Sequence, residues 1–225
     1  MNAVRPGTGA ASRPLAVLAA VLLLAFAHIP VAGAGDEALW LARAAVAAAD
    51  NRNAPFAVID KHNARVFIFD AQGRLQASSP VLLGLARGDD SVPGIGERAM
   101  SEIRPEERTT PAGRFETEPG LNTKGEDIVW IDYDAAVSMH RVRATKKSER
   151  RLQRLASPTV ADNRISYGCI NVPAAFYDAY IKPVLGSRRG VVYVLPETMA
   201  AHKRFEFLSR PEQRLSTRRG FSPAG

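Results

Sequence analysis

Cysteine is nearly absent from this chain, because Cys169 is the only one among 225 residues. One cysteine cannot form a disulfide within the chain, so the fold cannot depend on such a bridge. The sequence also lacks internal repeats, nucleic-acid-binding motifs and pairs of histidines at the helical spacing of zinc peptidases. We therefore expect no nucleic-acid partner, no metal and no cofactor.

Long apolar runs are confined to the N-terminus. Arg5 and Arg13 precede an apolar stretch at residues 15–27, and small residues follow at 32–34. The stretch is too short to span a bilayer comfortably, so it predicts a cleaved signal peptide over residues 1–34, with an uncleaved anchor as the alternative. No cysteine lies near the cleavage site, which excludes lipid attachment there.

The predicted location is the periplasm or cell envelope, with no stable membrane insertion after cleavage. The formal net charge of the chain is +7. The predicted leader contributes two arginines and no acidic residue, so the exported protein remains basic. A basic exported protein can be held near anionic envelope polymers or the membrane surface.

The chain beyond the leader is long enough for one domain with a full core. Residues 36–50 are rich in alanine and predict a helix within an N-terminal segment, 35–53. Residues 54–196 contain apolar runs of strand type joined by short turns, which predict a mainly β domain. Residues 197–225 predict a basic C-terminal tail.

The strand pattern is interrupted once by a long segment rich in glycine and proline, residues 86–112. A loop of this length inside a domain is usually functional or mobile. It could border a site, or it could be a solvated excursion. The predicted strands cover residues 56–60, 65–70, 75–85, 113–117, 128–133, 135–142 and 190–195, with a turn at 118–122 and a helix at 173–181.

Cys169 lies in residues 166–171, whose sequence is SYGCIN. A glycine precedes the cysteine and small or polar residues surround it, which predicts an irregular turn. A thiol on such a turn can lie near backbone N–H groups, as nucleophilic thiolates do. The alternative is a small buried hydrophobe. A lone free thiol in an oxidising compartment favours the functional interpretation.

A cysteine nucleophile needs a base, and imidazole suits this role because its pKa lies near the working pH. The exported part of the chain contains three histidines. His62 lies in a predicted hairpin turn, and His202 lies in the basic tail. His140 lies near the end of a predicted strand and is the best placed of the three.

With Cys169 and His140 in view, the chain resembles the catalytic domain of L,D-transpeptidases (YkuD-like). That family has a histidine, a gap, and then Ser-His-Gly-Cys followed by an apolar residue and Arg or Asn. Residues 110–115, TPAGRF, match the family's Thr-Pro-x-Gly-x-Phe element. The resemblance covers residues 54–196. It implies a mainly β fold, a β-sandwich or barrel-like sheet with a few short helices.

The chain departs from the family at two points. Tyr167 stands where the family commonly has histidine. The gap between His140 and Cys169 is also longer than usual, so residues 141–165 form an insertion. The alternatives for this insertion are a substrate-binding wall or a solvated amphipathic turn with Leu152 and Leu155 packed inward.

The resemblance implies a cysteine acyltransferase that acts on peptidoglycan stem peptides. Cys169 would form a thioester and His140 would act as the general base. Backbone N–H groups around Tyr167, Gly168 and Cys169 would bind the oxyanion. The acyl group would then pass to an amine, which includes a lysine of an envelope protein, or to water.

Four other residues are candidates for substrate binding. Ser166 and Asn171 could orient the turn or contact the substrate amide. Arg141 and Arg164 are close in sequence to the two catalytic candidates, and arginine forks suit carboxylates. Three functions stay open: an L,D-transpeptidase, an L,D-carboxypeptidase or endopeptidase on the same scaffold, and a non-catalytic wall-binding module.

Overall fold

Ten β-strands dominate residues 35–209, the part of the chain that this computed structural model describes. They are β1 (Phe56–Asp60), β2 (Arg65–Phe69), β3 (Leu75–Pro80), β4 (Leu83–Gly84), β5 (Gly113–Leu121), β6 (Asp127–Asp132), β7 (Val137–Arg141), β8 (Arg164–Ser166), β9 (Ile170–Val172) and β10 (Gly190–Val194). The predicted signal peptide and the end of the tail lie outside the described residues.

The helices are short: α1 (Asp36–Ala47), α2 (Arg151–Ala156), α3 (Ala174–Phe176) and α4 (Lys182–Leu185), with a π-helical turn, Tyr177–Ile181, between the last two. Several single 3₁₀ turns lie in the loops. Within residues 35–209, no helix has the length and apolar character needed to cross a membrane.

Eight of the strands form one mixed sheet in the order β3-β2-β1-β10-β5-β6-β7-β9. Most neighbours are antiparallel, but β1 pairs with β10 and β7 pairs with β9 in parallel. The remaining strands, β4 and β8, form a small parallel pair of their own.

The sheet is buried on both faces at β1 and β10, whose sequences are almost entirely apolar. Side chains alternate between faces along a strand. Phe56 and Val58 therefore pack with α1, whereas Ala57 and Ile59 pack on the opposite face. The apolar cluster that contains Ala57 and Ile59 also contains Met139 of β7, a strand near the other end of the sheet. The sheet thus curves around one apolar core, which confirms the predicted mainly β, barrel-like fold with a few short helices.

Several predicted boundaries were wrong. Of the turn predicted at residues 118–122, residues 118–121 form the second half of β5, which pairs with β6. Pro119 is tolerated because β10 pairs only with the first half of β5, so the Pro119 position lies at a sheet edge. The predicted strand at 75–85 is divided into β3 and β4.

The ends of the domain and the insertion also differ from expectation. Phe205, Phe207 and Leu208 are buried in the cluster around α1, so the packed domain continues beyond residue 196. In the insertion, one alternative placed Leu152 and Leu155 inward; Leu155 is buried, but Leu152 is 55% exposed. Both leucines lie on α2, where only one face contacts the rest of the protein.

Candidate active site

The parallel pairing of β7 with β9 brings the two candidate catalytic residues together. Met139 lies opposite Ile170, and both belong to the buried apolar cluster. Ser138 and His140 therefore share the other face of β7. Cys169 directly precedes β9 and contacts Ser138. The long gap in sequence closes in space because the insertion leaves from β7 and the chain returns beside it.

The thiol of Cys169 is half-buried and surrounded by hydrogen-bonding groups. Its sulfur lies 3.5 Å from the Ser138 backbone nitrogen, 3.6 Å from Ser138 Oγ and 3.6 Å from the Ala136 carbonyl oxygen. Burial raises the pKa of the thiol, but the hydrogen bond and charge of His140 and the Ser138 donors outweigh it. The net pKa of Cys169 is lowered from its ordinary value, which favours the thiolate.

The imidazole of His140 is oriented by its own backbone. Its Nδ1 lies 2.8 Å from the Arg141 carbonyl oxygen. A carbonyl can only accept, so Nδ1 carries a hydrogen and Nε2 is left to interact with the thiol. A cavity of about 300 Å³ is lined by His140 together with Arg141 and Asp127, and none of residues 166–169 lines it. In the described part of the chain, no group of three His, Cys, Asp or Glu side chains could hold a metal ion.

Residues 166–169, here called the cysteine turn, are held by side-chain hydrogen bonds. Ser166 Oγ donates to the Cys169 carbonyl oxygen at 2.6 Å and accepts the Gly168 N–H at 3.1 Å. Asn171 Nδ2 donates to the same Cys169 carbonyl at 3.2 Å. The predicted turn-orienting role of Ser166 and Asn171 matches these contacts, and their contact with substrate stays a prediction.

Gly168 occupies a position that disfavours other residues. Its φ is +134°, and an added Cβ would lie 2.8 Å from the Thr109 carbonyl oxygen. Because Ser166 already accepts the Gly168 N–H, that group is engaged within the turn. Of the N–H groups predicted to bind the oxyanion, those of Tyr167 and Cys169 are the better candidates.

The end of the 86–112 loop borders the cysteine turn. Thr110 is buried, and its Oγ1 donates to the Gly168 carbonyl oxygen at 2.8 Å. Thr110 Oγ1 also accepts the Gly84 N–H at 2.9 Å. Thr110 therefore ties the loop and β4 to the turn. The motif match included Thr110, but its contact with Gly168 was not predicted.

Arg141 lies on the opposite face of β7 from His140. Its guanidinium pairs with Asp127 at 2.9 Å and with Asp178, and it lies 4.2 Å from the centre of the Tyr177 ring. These two carboxylates raise the pKa of Arg141, even though burial opposes them. The alternation of side chains along a strand explains the placement. Protein carboxylates already pair with this guanidinium, and the role of Arg141 in substrate binding stays a prediction.

Arg164 is also occupied. Its side chain is 7% exposed and donates to both Glu197 oxygens, at 2.7 and 3.2 Å, and to the Lys61 carbonyl oxygen at 2.7 Å. A guanidinium buried in this way cannot reach a substrate. The prediction that Arg164 binds stem-peptide carboxylates is therefore corrected, because closeness in sequence to Cys169 does not place it near the thiol's open side.

A buried cation that the sequence did not predict lies next to Arg164. Lys61 is fully buried, and its Nζ donates to Asp89 Oδ1 at 2.8 Å and to the Thr110 carbonyl oxygen at 2.9 Å. Burial lowers the pKa of Lys61, and the neighbouring carboxylates Asp89 and Glu197 oppose that shift. Lys61 thus anchors both ends of the 86–112 loop.

Arg151 links the insertion to the site. Arg151 Nη1 donates to Asn171 Oδ1 at 2.7 Å, and its Nε pairs with Glu149 at 2.5 Å. Asn171 is 1% exposed, and both its amide oxygen and its amide nitrogen form hydrogen bonds with protein groups. His62 and His202 are both exposed, which leaves His140 as the histidine beside the thiol.

Comparison with known proteins gives structural matches only: no family model and no curated protein matches this chain. The helical cell shape determining protein Pgp2 from Campylobacter jejuni matches at 13% identity and a TM-score of 0.41, over 65% of this chain and 49% of that one. The LD transpeptidase LdtMt1 in complex with imipenem matches at 15% identity and a TM-score of 0.34, over 63% of this chain and 59% of that one.

An L,D-transpeptidase from Mycobacterium smegmatis matches at 14% identity and a TM-score of 0.34, over 62% of this chain and 58% of that one. This chain therefore spans about half to three-fifths of the length of these structures. The solved structures that it matches thus include L,D-transpeptidases and a cell-shape determining protein, each with a TM-score below 0.5.

Proposed function

We propose that this protein is a cysteine acyltransferase of the L,D-transpeptidase type, acting on peptidoglycan stem peptides. The observation that supports it best is the environment of Cys169. Its thiol interacts with the His140 imidazole and with two donors of Ser138, and these contacts lower its pKa. The substrate class comes from the motif resemblance around Cys169 and residues 110–115.

In the first half-reaction, the Cys169 sulfur attacks the carbonyl of the L-centre of diaminopimelate. His140 takes the thiol proton, the C–S bond forms and the carbonyl oxygen becomes an oxyanion. The N–H groups of Tyr167 and Cys169 are the proposed donors to that oxygen. The C–N bond to D-alanine then breaks, and His140 returns the proton to the leaving amine.

In the second half-reaction, an amine attacks the thioester, and the sulfur leaves as the thiolate. A second stem peptide would give a cross-link, and an envelope protein lysine would give an attached protein. Water in place of the amine would make the protein a carboxypeptidase or endopeptidase. Analysis of products with and without an added amine acceptor separates transfer from hydrolysis.

Intact-mass spectrometry after incubation with a carbapenem or a tetrapeptide donor tests the proposal. The carbapenem should add its whole mass, because its ring opens on acylation. The tetrapeptide should add its own mass less that of the D-alanine released, because the thiol proton leaves with the amine. Cys169→Ala should remain folded and give no adduct.

A folded wild-type protein that forms no adduct with either compound would contradict the enzyme proposal. Sedimentation with insoluble peptidoglycan would then show whether the protein is a non-catalytic wall-binding module. In that case wild type and Cys169→Ala should bind the wall equally.

We also propose that residues 1–34 direct export to the periplasm and that the catalytic domain extends from residue 54 through the packed segment ending near Leu208. N-terminal sequencing of the protein recovered from the envelope fraction tests the leader. A mature chain that begins near residue 35 is expected, and a retained leader would indicate an anchor.

A further inference from the structure

Arg108 lies beside the cysteine turn, at the C-terminal end of the 86–112 loop. An ideal Cβ on Gly84 would lie 2.3 Å from the Arg108 carbonyl oxygen. One on Gly168 would lie 2.8 Å from the carbonyl oxygen of Thr109. The backbone at Arg108 therefore runs against the base of the turn, and the Arg108 side chain leaves the backbone there.

The orientation of the Arg108 guanidinium is fixed by contacts with Tyr167 and Ile103. Its central carbon lies 4.0 Å from the centre of the Tyr167 ring. Its Nε and Nη2 donate to the Ile103 carbonyl oxygen at 3.2 and 2.9 Å. These contacts leave Nη1 with no protein acceptor among residues 35–209. Tyr167, which replaces the histidine of the resembling family, thus serves as a platform for this cation.

The charge of Arg108 is not neutralised by the protein. Within residues 35–209 it forms no ion pair, although it is half-buried. The other arginines discussed above are paired with carboxylates: Arg141 with Asp127 and Asp178, Arg151 with Glu149, and Arg164 with Glu197. A guanidinium that is stacked, partly desolvated and unpaired is suited to bind a carboxylate from outside the protein.

We propose that Arg108 binds the terminal carboxylate of the donor stem peptide, with Tyr167 holding its guanidinium in place. The identity of this carboxylate rests on the proposed function. The terminal carboxylate of a tetrapeptide lies one residue beyond the attacked carbonyl, which is about 3.5 Å of extended chain. Tyr167 lies two positions before Cys169. The platform and the sulfur can therefore contact adjacent parts of one short peptide.

Alkylation with two reagents of different charge tests Arg108 without reference to the proposed function. Iodoacetate and iodoacetamide react by the same step: the Cys169 thiolate forms a C–S bond to the methylene carbon, the C–I bond breaks and iodide leaves. Arg108→Gln should lower the ratio of iodoacetate to iodoacetamide rates roughly tenfold, because a charged hydrogen bond is lost. The iodoacetamide rate should stay close to that of the wild type.

Arg150→Gln is the matched control, because it makes the same change of net charge at an exposed position of the insertion. The rate ratio of this variant should equal that of the wild type. If Arg108→Gln does not fold, Tyr167→Leu removes the platform and should lower the ratio about threefold. A ratio that stays at the wild-type value in a folded Arg108→Gln or Tyr167→Leu protein overturns the proposal.

Three tetrapeptide donors identify the carboxylate: the free acid, the C-terminal amide and a peptide amidated at the D-centre of diaminopimelate. Wild type should acylate faster with the free acid than with the C-terminal amide. Arg108→Gln should lose that preference, mainly through a higher KM for the free acid. A preference that depends instead on the D-centre carboxylate overturns the assignment.

These experiments distinguish a failure of the proposed function from a failure of the proposed role of Arg108. If no donor acylates Cys169 but the alkylation ratio depends on Arg108, the proposed function is wrong and the anion-binding role of Arg108 stands. If donors acylate Cys169 with the same preference in Arg108→Gln as in wild type, the proposed function stands and Arg108 is not the carboxylate-binding residue.

Discussion

Replacing Thr110 with valine should destabilise the cysteine turn. Thr110 Oγ1 accepts the Gly84 N–H at 2.9 Å and donates to the Gly168 carbonyl oxygen at 2.8 Å, and all these groups are buried. Valine preserves the shape of the side chain but removes both hydrogen bonds. Each buried group left without a partner costs about 1–3 kcal/mol. We expect the free energy of unfolding to fall by about 2–4 kcal/mol, since the turn can relax in part.

Urea denaturation measures that loss, and the alkylation rate of Cys169 in the folded protein reports the local effect on the turn. Thr110→Ser is the matched control, because it retains the hydroxyl and loses only one methyl group, at about 1 kcal/mol. Cys169 should be alkylated more slowly in Thr110→Val than in the wild type, and at the wild-type rate in Thr110→Ser. The reasoning would be refuted if Thr110→Val were as stable as Thr110→Ser and alkylated at the wild-type rate.

Two other perturbations test separate parts of the structure. Ser138→Ala removes a hydroxyl that lies 3.6 Å from the Cys169 sulfur, so the thiol pKa should rise and alkylation near neutral pH should slow. Glu197→Gln leaves the buried Arg164 without its carboxylate and should cost about 3–5 kcal/mol in urea denaturation. Glu106→Gln, which breaks only an exposed ion pair, should cost less than about 1 kcal/mol.

The local pattern of the sequence predicted the elements that are long enough to display a period. Residues 56–60 form the predicted strand β1, and the alanine-rich segment forms α1, which ends at Ala47 rather than near residue 50. β1 is buried on both faces, so its sequence is a nearly continuous apolar run, whereas α1 buries Ala38, Leu41, Ala42 and Ala45 at helical spacing. The mainly β fold followed from several such runs.

The candidate site could be predicted only in part. β9 is three residues long, which is too short for a period, and it was interpreted as a turn leading into a helix. Its pairing with β7 is a tertiary contact that no local pattern encodes. The contact of Ser138 with the thiol depends on that pairing. The opposite orientation of Arg141, in contrast, follows from simple alternation with His140 and was predictable.

The charged cluster at Lys61 shows a second limit. A lysine at the start of a predicted turn is usually exposed, yet this one is fully buried. Its partners Asp89 and Glu197 are distant in sequence, and only the folded chain brings them together. Burial of a charge is stable only when such partners are present, so it cannot be deduced from residues near Lys61 alone.

The pH dependence of Cys169 alkylation in wild type and His140→Ala tests the central claim most directly, namely that the imidazole activates the thiol. Burial alone raises the pKa of the thiol, and His140 lowers it. Wild type should therefore form the thiolate below the ordinary pKa of a cysteine, and His140→Ala should shift the midpoint upward and slow the reaction near neutral pH. His62→Ala, at an exposed histidine, should leave the profile unchanged. Identical profiles for wild type and His140→Ala would contradict the claim.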